Sequence, residues 1–142
     1  MCGLIGMRVS EALSARPSWF DFSGRVVLIR GKGDKERRVP VSDEAWDALF
    51  DAVSHAFIEG NDRSVIRFRD RNARALITSI ARRAGLRRHV ASHDLRATFA
   101  TEVYNKTRDQ RVVQELLGHA QGSTTEVYIE VTMDKMRQAV IL

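Results

Sequence analysis

The residues best suited to chemistry are concentrated between Ser92 and Tyr128, in the run SHDLRATFATEVYNKTRDQRVVQELLGHAQGSTTEVY. His93 and Arg96 form an H-x-x-R at the start of an apolar-periodic segment. His119 follows the helix-ending pair Leu117-Gly118, and Tyr128 comes nine positions later. A guanidinium fork binds phosphoryl oxygens bidentately, and imidazole moves protons near neutral pH. A phenol becomes a nucleophile when a base or cationic field draws off its proton. Two histidines, an arginine and a tyrosine can therefore hold a phosphodiester and attack it. Taken singly, each has a plainer use: a first-turn histidine at the surface, a histidine at a helix end, a tyrosine packed on the core.

The surrounding sequence must position these groups. Ser92 is the expected N-cap of a helix that carries His93 and Arg96, three apart and so on one face, with Leu95, Phe99 and Val103 as the opposing buried stripe. Thr107 with Gln110 reads as a capping box opening a second helix through Val112, Val113, Leu116 and Leu117. Gly118 supplies its left-handed end and leaves His119 at a fixed corner. Ser123 with Glu126 reads as another capping box, placing Tyr128 on a new short helix. Thr132 to Leu142 reads as a last amphipathic helix with Met133, Met136, Val140 and Ile141 on its apolar side.

Upstream, MCGLIGMRVSEAL sets Arg8 beside a short helical pattern with Glu11 nearby and Val9, Ala12 and Leu13 on one face; Arg16-Pro17-Ser18 ends it. A hairpin follows, from the β-rich run Val26 to Ile29 and a second strand at Arg38 to Val41, across the basic turn Gly31-Lys32-Gly33-Asp34-Lys35. Ser42-Asp43-Glu44 opens a helix with Trp46, Leu49, Phe50 and Val53 as its apolar stripe and His55 as a surface residue near its end. Ser64 to Phe68 reads as a short strand. Asn72 to Ala84 reads as a helix buried through Leu76, Ile77 and Ile80 and ended by Gly85. The clustered cations make Lys35, Arg37, Arg71 and Arg74 candidates for phosphate contact.

At 142 residues the chain has the size of one domain. Its formal net charge of +5 suits a polyanionic partner such as nucleic acid. One cysteine, Cys2, excludes an internal disulfide and a cysteine-based zinc site and fits a reducing cytosol. The N-terminal segment has no basic n-region, and Arg8 and Glu11 interrupt it well short of a span, so neither export nor a membrane is expected. No cluster of carboxylates is available for Mg²⁺, so no metal and no cofactor is expected. The fold expected is mainly α with a small antiparallel β-sheet, an α+β arrangement, built from the hairpin and the 64–68 segment.

In order, G-M-R-V-S-E-A-L, G-K-G-D-K-E-R-R-V-P-V, H-D-L-R-A-T-F-A-T, L-L-G-H and T-T-E-V-Y resemble the tyrosine recombinase family, the phage integrases and Xer-type resolvases, across its catalytic domain. The spacings agree: 24 from Arg8 to Lys32, 23 from Arg96 to His119, nine from His119 to Tyr128. The resemblance implies site-specific DNA recombination by strand cleavage and rejoining through a covalent 3′-phosphotyrosyl intermediate. Arg8 and Arg96 would hold the scissile phosphate, Lys32 would protonate the leaving 5′-hydroxyl, His93 and His119 would bond the phosphate and move protons, and Tyr128 would attack. Glu11 matches a supporting acidic position. Ala97 stands where relatives often carry histidine. The resemblance further implies double-stranded DNA as partner, a homo-oligomer (a tetramer) on DNA, and a cytoplasmic protein of bacterial, phage or mobile-element origin. Residues 133–141 would dock on a neighbouring copy or pack in cis. Residues 1–142 then read as a single catalytic domain, N-terminally truncated, without the core-binding domain that relatives place ahead of it. A type IB topoisomerase uses a similar residue set, but the G-K-G hairpin and the L-L-G-H block favour the recombinase. A non-catalytic DNA-binding fragment of an integrase is the alternative of another class.

Overall fold

A computed structural model describes residues 1–33, 35–58, 60, 62–67, 69–118 and 133–141. Two short helices open the chain, α1 (Cys2–Ile5) and α2 (Val9–Ser14). Gly6 separates them at φ +70°, where a β-carbon would lie 2.6 Å from the Phe99 ring, so glycine is required both by the backbone and by the approach of that ring. Pro17 then starts a single 3₁₀ turn, Pro17–Trp19, consistent with its fixed φ and missing N–H.

The sheet has three antiparallel strands in the order β1 (Phe20–Asp21), β2 (Val26–Arg30), β3 (Glu36–Pro40). Val27 pairs with Val39 and Ile29 with Arg37, so these four share one face, and the three apolar members are fully buried. The third strand is not the expected Ser64–Phe68 segment. Among its described residues, Val65 donates one backbone bond to the Ala15 carbonyl at 2.8 Å. Ser64 Oγ bonds the Leu13 and Ile66 carbonyls. A serine hydroxyl bonding backbone locally competes with a ladder, and the two residues of β1 take the sheet edge instead.

Helix α3 (Asp43–Ile58) starts where expected, with Ser42 Oγ accepting the Ala45 N–H at 3.3 Å. Trp46 and Val53 are buried and His55 is exposed. Phe50 is exposed, contrary to its place in the expected stripe, and meets the edge of Phe22 with ring centroids 6.1 Å apart. Helix α4 (Asp70–Arg83) likewise presents Leu76 and Ile80 to solvent, with Ala81 as its buried residue and Gly85 left-handed beyond its end.

Helix α5 (Ser92–Thr107) packs along α1 and places Phe99 and Val103 in the core. Its N-cap is Ala91 rather than Ser92: Asp94 Oδ2 accepts the Ala91 N–H at 2.8 Å, and that bond holds the carboxyl below its ordinary range. Helix α6 (Gln110–Leu117) is capped by Asp109, whose carboxylate accepts from the Arg111 and Val112 N–H groups. Thr107 belongs to the end of α5, bonding the Val103 carbonyl and accepting from the Asp109 N–H, so the expected Thr107–Gln110 box does not form. Helix α7 (Met133–Val140) packs in cis against β3, α5 and α6 through Met136, Ala139 and Val140, with Ile141 exposed. The core thus joins the sheet face to α1, α5, α6 and α7. Among the described residues no helix is long and apolar enough to cross a membrane.

Candidate active site

Among the described residues Glu11 is the buried charged one, 4% exposed, and three arginines from three elements reach it. From the start of α2, the Arg8 N–H bonds Oε2 and its Nη1 bonds Oε1, both at 2.8 Å. From β3, Arg37 makes a two-pronged contact, Nη1 to Oε1 at 3.0 Å and Nη2 to Oε2 at 2.8 Å. From α5, Arg96 Nη1 stands 3.8 Å from Oε2. Burial alone would raise the Glu11 pKa; the bonds from Arg37 and Arg8 outweigh it and hold the carboxyl at about 2. The site therefore carries a carboxylate at every working pH.

The second arginine is fixed by carbonyls. Arg96 Nη1 donates to the Gly6 carbonyl and Nη2 to the Leu117 carbonyl at 2.7 Å, and its side chain is 12% exposed. Both acceptors precede or sit beside left-handed glycine turns, Gly6 itself and Gly118, where carbonyls escape helical bonding. Burial, and then the charges of Arg8 and Arg37, lower the Arg96 pKa to about 10, which still leaves it protonated at neutral pH. Three guanidiniums facing one carboxylate leave an excess of positive charge, the field an anion would satisfy.

Arg8, Glu11 and Arg37 of this cluster line a cleft together with Ser10, Lys32, Lys35 and Gly118. Lys32 and Lys35 are exposed at the hairpin turn, which is closed by Gly31 N–H to the Lys35 carbonyl at 2.8 Å. The structure thus brings Arg8, Glu11 and Lys32 to one cleft, with Arg96 Nη1 3.8 Å from Glu11 Oε2. His93 is on the same helix as Arg96, exposed, with Nε2 3.5 Å from Asp94 Oδ1. His119 and Tyr128, and the Ser123–Glu126 box, lie outside the described residues. Gly118, which precedes His119, ends α6 at φ +64° as expected.

The phosphate-contact candidates separate. Lys35 lies at the cleft mouth and Arg71 is exposed on α4. Arg74 is exposed on α4 with its Nε on the Asp70 carboxylate. Arg37 points inward: its side chain is 10% exposed and its Nε donates to the Leu116 carbonyl at 2.9 Å. The strand alternation carries the signal for this, since residue 37 is in phase with Val39 and opposite Ile29 on the core face. The other feature missed in sequence, the use of the Gly6 and Leu117 carbonyls as anchors for Arg96, has no pattern of residue types to betray it. Among the described residues no group of three histidine, cysteine, aspartate or glutamate side chains is arranged to hold a metal ion.

The profile described as "Phage integrase family" matches residues 2–135. The tyrosine recombinase XerC of Listeria welshimeri is 40% identical over 143 residues, an alignment covering 93% of this chain and 48% of the relative. XerC of Bacillus pumilus is 38% identical over 146 residues, covering 94% and 48%. Among solved structures, the XerA recombinase superposes with a TM-score of 0.75 at 30% identity, covering 96% of this chain and 53% of that one. The XerH site-specific recombinase bound to its difH substrate before cleavage gives 0.72 at 32% identity, covering 84% and 38%. The chain spans about half the length of the curated relatives it matches.

Proposed function

Because this chain belongs to the phage integrase family, we propose that it carries the catalytic machinery of a site-specific DNA recombinase acting on double-stranded DNA. The observation that supports this most is the convergence of Arg8 and Arg96 on Glu11 at the base of the cleft that Lys32 also lines. In this reading the two arginine forks bind the non-bridging oxygens of the scissile phosphate and stabilise the charge that gathers there in the transition state. The Tyr128 hydroxyl attacks phosphorus. Its proton passes to His93 or His119, a P–O bond to tyrosine forms, and the P–O5′ bond breaks as Lys32 delivers a proton to the leaving oxygen. The product is a 3′-phosphotyrosyl bond and a free 5′-hydroxyl. The reverse attack by a 5′-hydroxyl rejoins the strand and releases Tyr128, so phosphodiester energy is conserved and no nucleotide triphosphate is consumed. Lys35, Arg71 and Arg74 contact flanking phosphates, where each contributes a salt-dependent share of affinity. On DNA the recombinase works as a homotetramer, in the cytoplasm of a bacterial cell, and residues 1–142 act as a single catalytic domain.

The test is covalent capture. A duplex nicked beside a candidate core site is incubated with wild type and with Tyr128→Phe, then resolved on a denaturing gel. Wild type gives a protein–DNA band that the variant lacks. DNA binding with no such band in either would leave a binding module and overturn the catalytic reading.

A further inference from the structure

Arg37 commits all three of its nitrogens to protein acceptors: Nε to the Leu116 carbonyl at 2.9 Å, Nη1 to Glu11 Oε1 at 3.0 Å and Nη2 to Glu11 Oε2 at 2.8 Å. These bonds fix the side chain, 10% exposed, against Glu11 and the end of α6. Arg96 differs. Its guanidinium has five N–H groups, two of them spent on the Gly6 and Leu117 carbonyls, and Glu11 stands off at 3.8 Å, beyond hydrogen-bonding distance. We infer that Arg37 is a positioning residue for strand cleavage: by gripping both oxygens of Glu11 it keeps that carboxylate from closing onto Arg96, and so leaves the Arg96 fork to a phosphate oxyanion.

Charge and packing make the role specific to this residue. Glu11 is faced by Arg8 from α2, Arg37 from β3, Arg96 from α5 and, more weakly, the Cys2 thiol from α1, with Lys32, Lys35 and Glu36 at the cleft mouth. Without Arg37 the carboxylate would retain Arg8 and turn to the next cation, Arg96, converting an anion site into a closed ion pair. Arg37 also ties the hairpin strand that follows Lys32 to the end of α6, the helix that leads to His119. A β-carbon on Gly118 would lie 2.7 Å from Arg37 Cδ, so the helix end and the arginine are fitted to one another.

This inference rests on the reading of the cleft as a phosphodiester site, and the experiment separates the two. Wild type, Arg37→Lys, Arg37→Gln and the double variant Arg37→Gln/Glu11→Gln are compared, with folding checked by circular dichroism. Arg37→Lys keeps the charge but not the fork, and it carries the test if Arg37→Gln does not fold. On the nicked duplex at saturating protein, the rate of covalent complex formation is expected to fall on the order of a hundredfold in both single variants, while DNA affinity and its salt slope stay as in wild type. Removing the stray carboxylate in the double variant is expected to restore part of the rate, an effect that general loosening of the fold would not give. Separately, inorganic phosphate is titrated against the arginine Nε–H resonances; its affinity is expected to weaken about tenfold in Arg37→Lys. If wild type fails to cleave but phosphate binding depends on Arg37, the positioning role stands and the cleavage reading falls. Unchanged cleavage and phosphate binding in folded Arg37→Lys overturns the inference. So does reduced DNA affinity with a shallower salt slope and a normal cleavage rate, which would make Arg37 a direct DNA contact.

Discussion

Gly118 and Arg37 occupy each other's van der Waals boundary: a β-carbon at position 118 would lie 2.7 Å from Arg37 Cδ and 3.0 Å from Arg37 Nη1. The glycine also sits at φ +64°, so an alanine there would meet both backbone strain and a clash with an arginine fixed by three hydrogen bonds. Gly118→Ala is expected to lower stability by about 2–3 kcal/mol in urea unfolding, the upper part of the range for a non-glycine residue forced left-handed. Gly33→Ala at the hairpin tip has a similar φ, +76°, but open space around it, and should cost only the conformational part, about 1 kcal/mol. Equal losses at the two positions would show that the Arg37 contact carries no weight.

Glu11 links the site to acid stability. Its carboxyl is held at about 2 against an ordinary value of 4.5, the depressed case, so its contribution is fully present above 4.5 and is lost as pH falls toward 2. A shift of that size corresponds to about 3 kcal/mol for this buried group. Glu11→Gln should remove the slope of stability against pH in that window and lower stability at pH 7 by about 3–5 kcal/mol, because buried arginines lose their counter-charge. Urea midpoints measured from pH 2 to 7 in both proteins check this. An unchanged slope in the variant would place the acid sensitivity elsewhere.

How far the sequence discloses this architecture depends on the range of the interaction involved. The hairpin, the Ser42 cap and the Gly118 turn rest on local chemistry, and they form where residue types place them. Ser64–Phe68 has strand-like residues, but β propensity reports fitness for a sheet and not the presence of a partner; Phe20–Asp21 occupies the edge of β2. Leu76 and Ile80 follow helical periodicity, yet periodicity names a face without naming what covers it. Arg8, Glu11, Lys32 and Arg96 are legible as a set, through spacing that resembles a family. Their mutual geometry is not, because the carbonyls of Gly6, Leu116 and Leu117 that anchor two of the arginines have no side-chain signature. Strand alternation puts Arg37 in phase with Val39 on the core face, although its charge matches that of the exposed basic turn beside it.

The cap of α6 gives a prediction that distinguishes two readings of the same four residues. Asp109 accepts from Arg111 N–H at 2.9 Å and Val112 N–H at 3.4 Å, and Lys135 from α7 bonds its other oxygen. Asp109→Ala should therefore cost about 1–2 kcal/mol, at the upper end for an N-cap because it also removes a bridge between helices. Thr107→Ala, which deletes one hydroxyl at the end of α5, should cost less than 1 kcal/mol. Thermal or urea unfolding of the two variants decides the matter. A larger loss at Thr107 would restore the capping box that its spacing to Gln110 suggests.

Lys32 offers the sharpest test of the proposed chemistry, because its role concerns one proton on one oxygen. It is exposed at the hairpin turn beside Arg8 and Glu11. A general acid at a leaving alkoxide contributes roughly 10²–10⁴-fold, so Lys32→Ala should slow covalent complex formation by that range while leaving DNA affinity nearly unchanged. A substrate whose bridging 5′-oxygen is replaced by sulfur departs as a thiolate, which needs no proton near neutral pH because thiols are far more acidic than alcohols. On that substrate Lys32→Ala should approach the wild-type rate, whereas Arg96→Ala should stay slow, since an arginine that stabilises the non-bridging oxygens is needed whatever the leaving group. Single-turnover rates on the two substrates read this directly. Equal defects of Lys32→Ala on oxygen and sulfur would remove the lysine from proton transfer and return it to phosphate binding.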